Sequence, residues 1–253
     1  MKLNQKIISG YLKEKIHIFC YDETDSTNNA AKREAASLSY APSLFVSERQ
    51  TSGRGRRGRS FFSPNTGLYM TLMLPVEDPC GIQKITCAAA AATADAIESL
   101  TDLRADIKWV NDILVGGKKV AGILCELICD DENTPKAVII GVGINLTTAD
   151  FPPEFADKAG QIGDIDKNLL CARVVENLLS EFKGLEKNRF LKKYTERSIA
   201  LGKTITFDQN GVTHTAKAVG IAPDGGLTVE ENGKRQTLHS GEISIQLGIR
   251  NEK

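Results

Sequence analysis

The sequence predicts an α+β protein in which a mixed sheet with helices is followed by a small, separate β module. Three observations lead there. Apolar runs at 43–47, 67–74 and 137–146 have the length and composition of core strands. Ile82, Ile85, Ala89, Ala92, Ala96, Ile97 and Leu100 recur at helical spacing. From Leu201 onward, short alternating strands are separated by the turn sequences Asn210-Gly211, Pro223-Asp224-Gly225-Gly226 and Asn232-Gly233. The expected boundary divides residues 1–199 from residues 200–253.

Taken in order, residues 1–15 read as a short amphipathic helix and 16–21 as an apolar strand. A helix at 29–37 follows, with Ser26 or Thr27 as its cap. Small hydroxyls and an amide at a helix start serve equally well to hold a polar ligand, because free backbone N–H groups point there too. Both readings stay open. After the helix at 82–100, whose alanines suit close packing on a sheet, residues 105–115 read as one strand with polar groups in its middle. Gly116-Gly117 turns the chain into a returning strand at 118–128, and a turn at 131–135 leads to the strand at 137–146. Gly141-Val142-Gly143 lies inside that strand. Leu146 stands where a dinucleotide fingerprint needs its third glycine, so close backbone approach explains these glycines better. Residues 149–166, with Pro152 and Pro153, form a loop, and helices follow at 169–182 and 185–197.

Lys+Arg and Asp+Glu number 32 each among 253 residues. That balance removes any global attraction to nucleic acid or an anionic membrane. The N-terminus lacks the apolar core of a signal peptide, and no stretch approaches the roughly 18 apolar residues of a membrane span, so a cytoplasmic protein is expected. The six cysteines, at 20, 80, 87, 125, 129 and 171, fall mostly in apolar segments, which suits reduced, buried thiols better than a metal site.

Against this neutral background, Gly53-Arg54-Gly55-Arg56-Arg57-Gly58-Arg59 is strongly basic, and no acid occurs between Arg49 and Val76. Arginines alternating with glycines let guanidinium groups close around a small anion, a carboxylate or a phosphate. Strands on both sides make it a binding loop on a rigid scaffold. The competing reading is a disordered Arg/Gly nucleic-acid binder. The run is short, and no other basic block extends it. With no acid of its own, the loop at 51–60 is expected to stay mobile until a ligand brings negative charge.

Six segments in chain order resemble the motifs of biotin–protein ligases. They are Asp25-Ser26-Thr27-Asn28, the arginine loop with Ser63-Pro64, Lys108-Trp109-Val110-Asn111-Asp112, Lys119-Val120-Ala121-Gly122-Ile123-Leu124, Gly143-Ile144-Asn145-Leu146 and Ser240-Gly241-Glu242. The resemblance covers about residues 16–248. It implies a catalytic biotin- and ATP-binding domain related to class II aminoacyl-tRNA synthetases, followed by an SH3-like barrel. It also implies a short form without the N-terminal DNA-binding domain of members that act as repressors, so no DNA binding is expected. Val110 stands where proline is common and Phe61 where tryptophan is common; neither carries chemistry in this reading.

The implied reaction activates biotin with ATP as biotinyl-5′-AMP and transfers it to a lysine of the biotin carboxyl carrier protein of acetyl-CoA carboxylase. By resemblance, the biotin site comprises Ser26, Thr27, Asn28, Gln50, Arg54, Gly55, Arg56, Lys119 and Gly122. ATP falls to Arg56, Arg59, Asn111, Lys119 and Asn145, with Mg²⁺ carried by the nucleotide and no metal assigned to side chains. Lys119, Asp112 and Arg56 form the catalytic set, Asp112 as the base for the carrier lysine. Plainer readings stand beside these, with Lys119 a solvated hairpin residue and Asp112 a turn former or a helper of Mg²⁺. For the whole protein the alternatives are a lipoate–protein ligase, which runs the same adenylation on a linear acid, and a non-enzymatic biotin-binding regulator. Monomer and homodimer both fit the sequence.

Overall fold

The structure is a computed structural model that describes residues 2–76 and 81–245. Cys80 and residues 246–253 of the expected β module lie outside the described residues. Asn4 caps helix α1 (Gln5–Tyr11), its side-chain oxygen accepting from the amides of Lys6 and Ile7. Next come β1 (His17–Thr24), α2 (Thr27–Glu34), β2 (Ser43–Gln50), β3 (Gly67–Pro75) and the long α3 (Ile82–Leu100). β4 (Asp106–Lys108), β5 (Asp112–Val115), β6 (Lys118–Cys129) and β7 (Pro135–Asn145) complete a seven-stranded sheet in the order β1-β2-β3-β7-β6-β5-β4. β1 and β2 run parallel and the other pairs antiparallel, so the sheet is mixed.

After α4 (Pro153–Ala156), α5 (Lys167–Lys183) and α6 (Phe190–Arg197), the chain enters a second, antiparallel sheet. Its strands are β8 (Thr204–Gln209), β9 (Val212–Ile221), β10 (Leu227–Glu231), β11 (Lys234–Leu238) and β12 (Ile243–Ile245), in the order β11-β10-β9-β8-β12.

Two expectations change. The stretch 105–115 is not one strand. It folds back on itself as β4 and β5, with Lys108 opposite Asp112, and the Trp109–Val110 peptide at the bend is cis. Trp109 and Val110 are both buried, so the bend looks apolar in sequence, and the Tyr194 hydroxyl donates to the Val110 carbonyl at 3.0 Å. The helix expected over 185–197 breaks at Asn188, which is left-handed (φ 52), and only Phe190–Arg197 is α-helical.

Alternation along the strands decides where a site can form. One face of the large sheet sends Leu68, Met70 and Leu72, with Val138, Ile140 and Val142, into a core shared with α3 and α5. Ala88 to Ala92 are all buried in α3, which lets that helix approach closely. Each large side chain buried there contributes roughly 1.5–3 kcal/mol, so stability is concentrated on this face. The other face is only partly covered. α2 sets Ala30 and Ala31 on Phe45, Met73 and Ile139. Beyond it the sheet is floored by Gly141, Gly143 and Gly122, the last two paired directly across β6 and β7. Missing side chains leave open ground there.

The small sheet shares its apolar core with the large unit, through Ile205, Phe207 and Leu227 among others, and one turn adds polar contacts. The Gly225 carbonyl, between β9 and β10, accepts from Gln83 Nε2 at 3.0 Å, Trp109 Nε1 at 3.1 Å and Cys87 Sγ at 3.5 Å. Gly225 has φ +85, and a Cβ there would meet Cys87 Sγ at 2.9 Å. Gly211, with φ +79, has open space around a Cβ. Gly225→Ala should therefore cost about 2–4 kcal/mol through strain and overpacking together. Gly211→Ala should cost about 1 kcal/mol through strain alone. Urea unfolding of both variants checks this; equal losses would mean that the Gly225 turn does not hold the docking.

Candidate active site

The glycine floor is the bottom of a cavity of about 620 Å³, within the roughly 300–1,000 Å³ range of small-molecule sites. Ser26, Thr27, Asn28, Gln50, Arg54, Gly55, Arg56, Arg59, Asn111, Asp112, Lys119 and Gly122 all line it. Asn145 does not. It is buried, and its amide donates to the carbonyls of Gly160 at 3.0 Å and Lys119 at 3.5 Å. It pins the 158–160 segment along β6, where the Lys119 amide donates to Lys158 O at 2.7 Å and the Gly160 amide to Lys119 O at 2.8 Å. In this geometry the Asn145 amide braces that segment from behind the cavity wall.

At one end of the cavity α2 begins. Ser26 holds the N-cap position with extended backbone, yet its hydroxyl makes no capping bond. The Thr27 amide donates to Gln50 Oε1 at 2.8 Å, Gln50 Nε2 to Ser63 Oγ at 2.9 Å, and Ser63 Oγ to Phe61 O at 2.8 Å. This chain fixes which way the Gln50 amide points. Asn28 differs. Its Oδ1 accepts from Thr71 Oγ1 at 2.6 Å, and its amide donates to Leu124 O at 3.3 Å and Glu126 Oε2 at 2.9 Å. Both N–H groups are used, so Asn28 ties α2 to β3 and β6 instead of offering donors to a ligand. Gly141 is needed beneath it, since a Cβ there would lie 2.2 Å from Asn28 Oδ1.

The arginine loop forms a closed hairpin at the cavity rim. Arg54 bridges Ser60, the Phe61 amide donates to Gly53 O at 2.8 Å, and the Gly55 amide to Arg59 O at 2.7 Å. Within the loop the left-handed residues are Arg57 (φ 56) and Gly58 (φ 75). Gly53 is required for space, because a Cβ would sit 2.3 Å from Phe61 O.

Carboxylates reach this loop from outside. Glu126 of β6 accepts from Arg54 at 3.1 Å and Lys32 at 2.7 Å, and Glu242 pairs with Arg59. Burial opposes ionisation of both acids, but Lys32, Asn28 and Arg54 around Glu126, and Arg59, Arg57 and Arg56 around Glu242, hold both below the usual glutamate range. The expectation that the loop arginines go unpaired is therefore corrected for Arg54 and Arg59; both pairs are partly exposed and each is worth about 1 kcal/mol or less, so they bias the loop without locking it. Between the clamps, Arg56 reaches Asn111 Oδ1 at 3.3 Å. Arg56 and Arg57 have no carboxylate within ion-pair distance among the described residues. Burial, and then the charge of Arg57, push the Arg56 guanidinium below the ordinary arginine pKa. Glu242 and Asp112 act on it in the opposite direction, from beyond ion-pair distance.

Lys119 pairs with Asp112 at 2.6 Å, and both side chains are partly exposed. Such a pair is worth under about 1 kcal/mol, so an anionic ligand can displace it. Lys119 Nζ also stands 5.9 Å from the centre of the Phe61 ring. That ring lies on the flat patch made by Gly122 and Gly143; a Cβ at Gly143 would be 2.6 Å from it. Phe61, given no chemistry in the sequence reading, is thus part of the floor beneath Lys119. Glu126 went unnoticed as well, its only signal being one acid inside an apolar strand. Among the described residues, no three His, Cys, Asp or Glu gather as metal ligands.

The family model for biotin/lipoate A/B protein ligases matches residues 20–145, and that for the biotin protein ligase C-terminal domain matches residues 200–245. The bifunctional ligase/repressor BirA of Bacillus subtilis is 30% identical over 261 residues, covering 96% of this chain and 79% of that protein. The biotin–[acetyl-CoA-carboxylase] ligase of Mycobacterium tuberculosis is 27% identical, covering 87% of this chain and 86% of that one. A solved structure of biotin protein ligase from Aquifex aeolicus, in complex with biotin and ATP, superposes with a TM-score of 0.77 at 26% identity. It covers 91% of this chain and 98% of its own.

The clamps yield a direct test. Glu126→Gln should loosen the loop at Arg54, and Glu242→Gln at Arg59, each raising trypsin cleavage after that arginine about threefold to tenfold. Unchanged cleavage in both variants, with circular dichroism like wild type, would show that the acids do not hold the loop.

Proposed function

The chain belongs to the biotin protein ligase family, and from that premise we propose how its own residues perform the family's reaction. The protein is a ligase that activates biotin with ATP as biotinyl-5′-AMP and transfers it to a lysine of a biotin carboxyl carrier protein. One observation carries the assignment of roles. The polar start of α2, an Arg56 without a carboxylate partner among the described residues, and a loosely held Lys119 converge on one cavity.

A carboxylate is a poor acyl donor because oxide would have to leave. Joining it to a phosphoryl group brings the carboxylate against a triphosphate, and like charges meet. Arg56 already lacks an anion, and Lys119 exchanges Asp112 for the α-phosphate as substrates enter. Such preorganised charge contributes about 2–4 kcal/mol in the transition state. The ureido ring, with two donors and one acceptor, meets Ser26, Thr27 and Gln50, while Arg54, Gly55 and Gly122 flank the acyl chain. Arg59 and Asn111 serve the nucleotide, and Asn28 and Asn145 brace the walls. Mg²⁺ enters on ATP, where it offsets phosphate charge.

In the second step a carrier lysine, with a pKa of about 10.4 when free, must lose its proton. Once Lys119 has turned to the adenylate, the Asp112 carboxylate is available to take it. We place the boundary between the catalytic and β units at 199/200, between α6 and β8. No described helix is long and apolar enough to cross a membrane, and the cytoplasm, which supplies ATP and carrier, is the proposed setting.

With ATP and carrier protein, mass spectrometry should find biotin and not lipoate on the carrier lysine. Preferred lipoylation would restore the lipoate–protein ligase reading. Lys119→Ala should slow adenylate formation roughly 30- to 1000-fold in single-turnover assays, and a rate within about threefold of wild type would remove Lys119 from that step. Asp112→Asn should slow lysine transfer from preformed adenylate more than it slows adenylation. Equal losses in both half-reactions would make Asp112 a group that only positions Lys119.

A further inference from the structure

Three consecutive residues of the bend between β4 and β5 are each held by a different part of the molecule. Trp109 Nε1 donates to Gly225 O of the small β unit at 3.1 Å, and the Tyr194 hydroxyl of α6 donates to Val110 O at 3.0 Å. Asn111 exchanges two bonds with Ile123 of β6, its amide donating to Ile123 O at 2.9 Å and its carbonyl accepting from Ile123 N at 3.0 Å. Asp112 comes next, and among the described residues its carboxylate has one side-chain partner, Lys119. Packing alone does not call for the Tyr194 hydroxyl. Its ring is completely buried, and phenylalanine would fill the same space. A buried hydroxyl costs stability unless it finds a partner, and here the partner is a main-chain carbonyl two residues before Asp112. Burial holds the Tyr194 phenol well above its ordinary pKa, so it stays protonated and donates at every working pH. Arg56 and Asp112 are both near enough to act on it electrostatically.

We propose that Tyr194 is a positioning residue for lysine transfer, acting through the Val110 carbonyl on Asp112, an inference that rests on the ligase reading with Asp112 as base. During adenylation the pair with Lys119, at 2.6 Å, directs the Asp112 carboxylate. Once Lys119 has turned to the adenylate that partner is gone, and the bend alone sets where the carboxylate points. Asp112 then takes one proton from the carrier ammonium. The lysine nitrogen bonds to the acyl carbon and releases its second proton to water. The bond from that carbon to the phosphate oxygen breaks, and the electron pair leaves on AMP. A base must lie within hydrogen-bond reach of the proton it takes, and a misplacement of about 1 Å can cost such a step on the order of 100-fold. Adenylation depends less on Tyr194, because Asn111, which accepts from Arg56, has its own two bonds to Ile123.

Tyr194→Phe keeps the ring and removes the donor. In single-turnover assays of the whole protein it should slow transfer from preformed biotinyl-5′-AMP about tenfold at saturating carrier. The half-saturating carrier concentration and the rate of adenylation should stay within about twofold of wild type. Phe190→Leu loosens α6 at another buried position and should leave both half-reactions within about twofold of wild type. The decisive variant carries Tyr194→Phe together with Asp112→Asn. If Tyr194 acts through Asp112, adding Tyr194→Phe to Asp112→Asn should slow transfer by less than about twofold more. A further loss as large as that of Tyr194→Phe alone would overturn the proposal. So would wild-type transfer by Tyr194→Phe or by Asp112→Asn alone. Equal losses in both half-reactions of Tyr194→Phe, or a selective transfer defect in Phe190→Leu, would also overturn it by marking a general loosening of the fold. No transfer by the wild type from preformed adenylate would instead overturn the ligase reading beneath it.

Discussion

Everything in this site depends on keeping one positive charge uncompensated where water is scarce. Arg56 is half-buried, next to Arg57, and short of an anion. Four guanidinium groups so close together repel one another, by an amount that grows as solvent is excluded. The fold does not neutralise the group as a whole. Glu126 holds Arg54 from the sheet and Glu242 holds Arg59 from the small β unit, so the loop keeps its shape while its centre stays electropositive. The glycine floor completes the arrangement. Gly122 and Gly143 leave room for Phe61, and Phe61 carries Lys119 above the open cavity.

Much of this was legible in the sequence because it depends on local rules. The helix over 82–100 has the bounds its apolar stripe indicates, and Gly116-Gly117 makes the hairpin turn with φ 58 and φ 80. What escaped depends on contacts far apart in the chain. The bend inside 105–115 is closed from α6 by Tyr194, 84 positions away from Val110, so nothing near it in sequence marks it. Most of the motif residues gather in one cavity, but Asn145 lies behind its wall and Asn28 lines it with both amide donors already used. Asn28 spends its donors on β6 and Asn145 spends its own on the 158–160 segment. Side-chain type shows that an asparagine wants partners, but only the fold says whether protein or ligand supplies them. Glu126, 98 positions from Asn28, was illegible for the same reason.

The small β unit is more than an appendage. Its Gly225 turn fixes Trp109, inside the segment that ends at Asp112, and its Glu242 steadies the arginine loop. Both contacts reach residues that line the cavity, Trp109 and Arg59, so displacing the unit should disturb the site.

The central claim concerns where charge is stabilised, and the position of biotinyl-5′-AMP in a crystal of its complex with this protein tests it most directly. The ureido ring should lie at the start of α2 against Thr27 and Gln50, and the phosphoryl anhydride should lie within hydrogen-bond distance of Arg56 and Lys119, with the Lys119–Asp112 pair broken. An adenylate bound with its phosphate away from Arg56, or with Lys119 still on Asp112, would contradict the account.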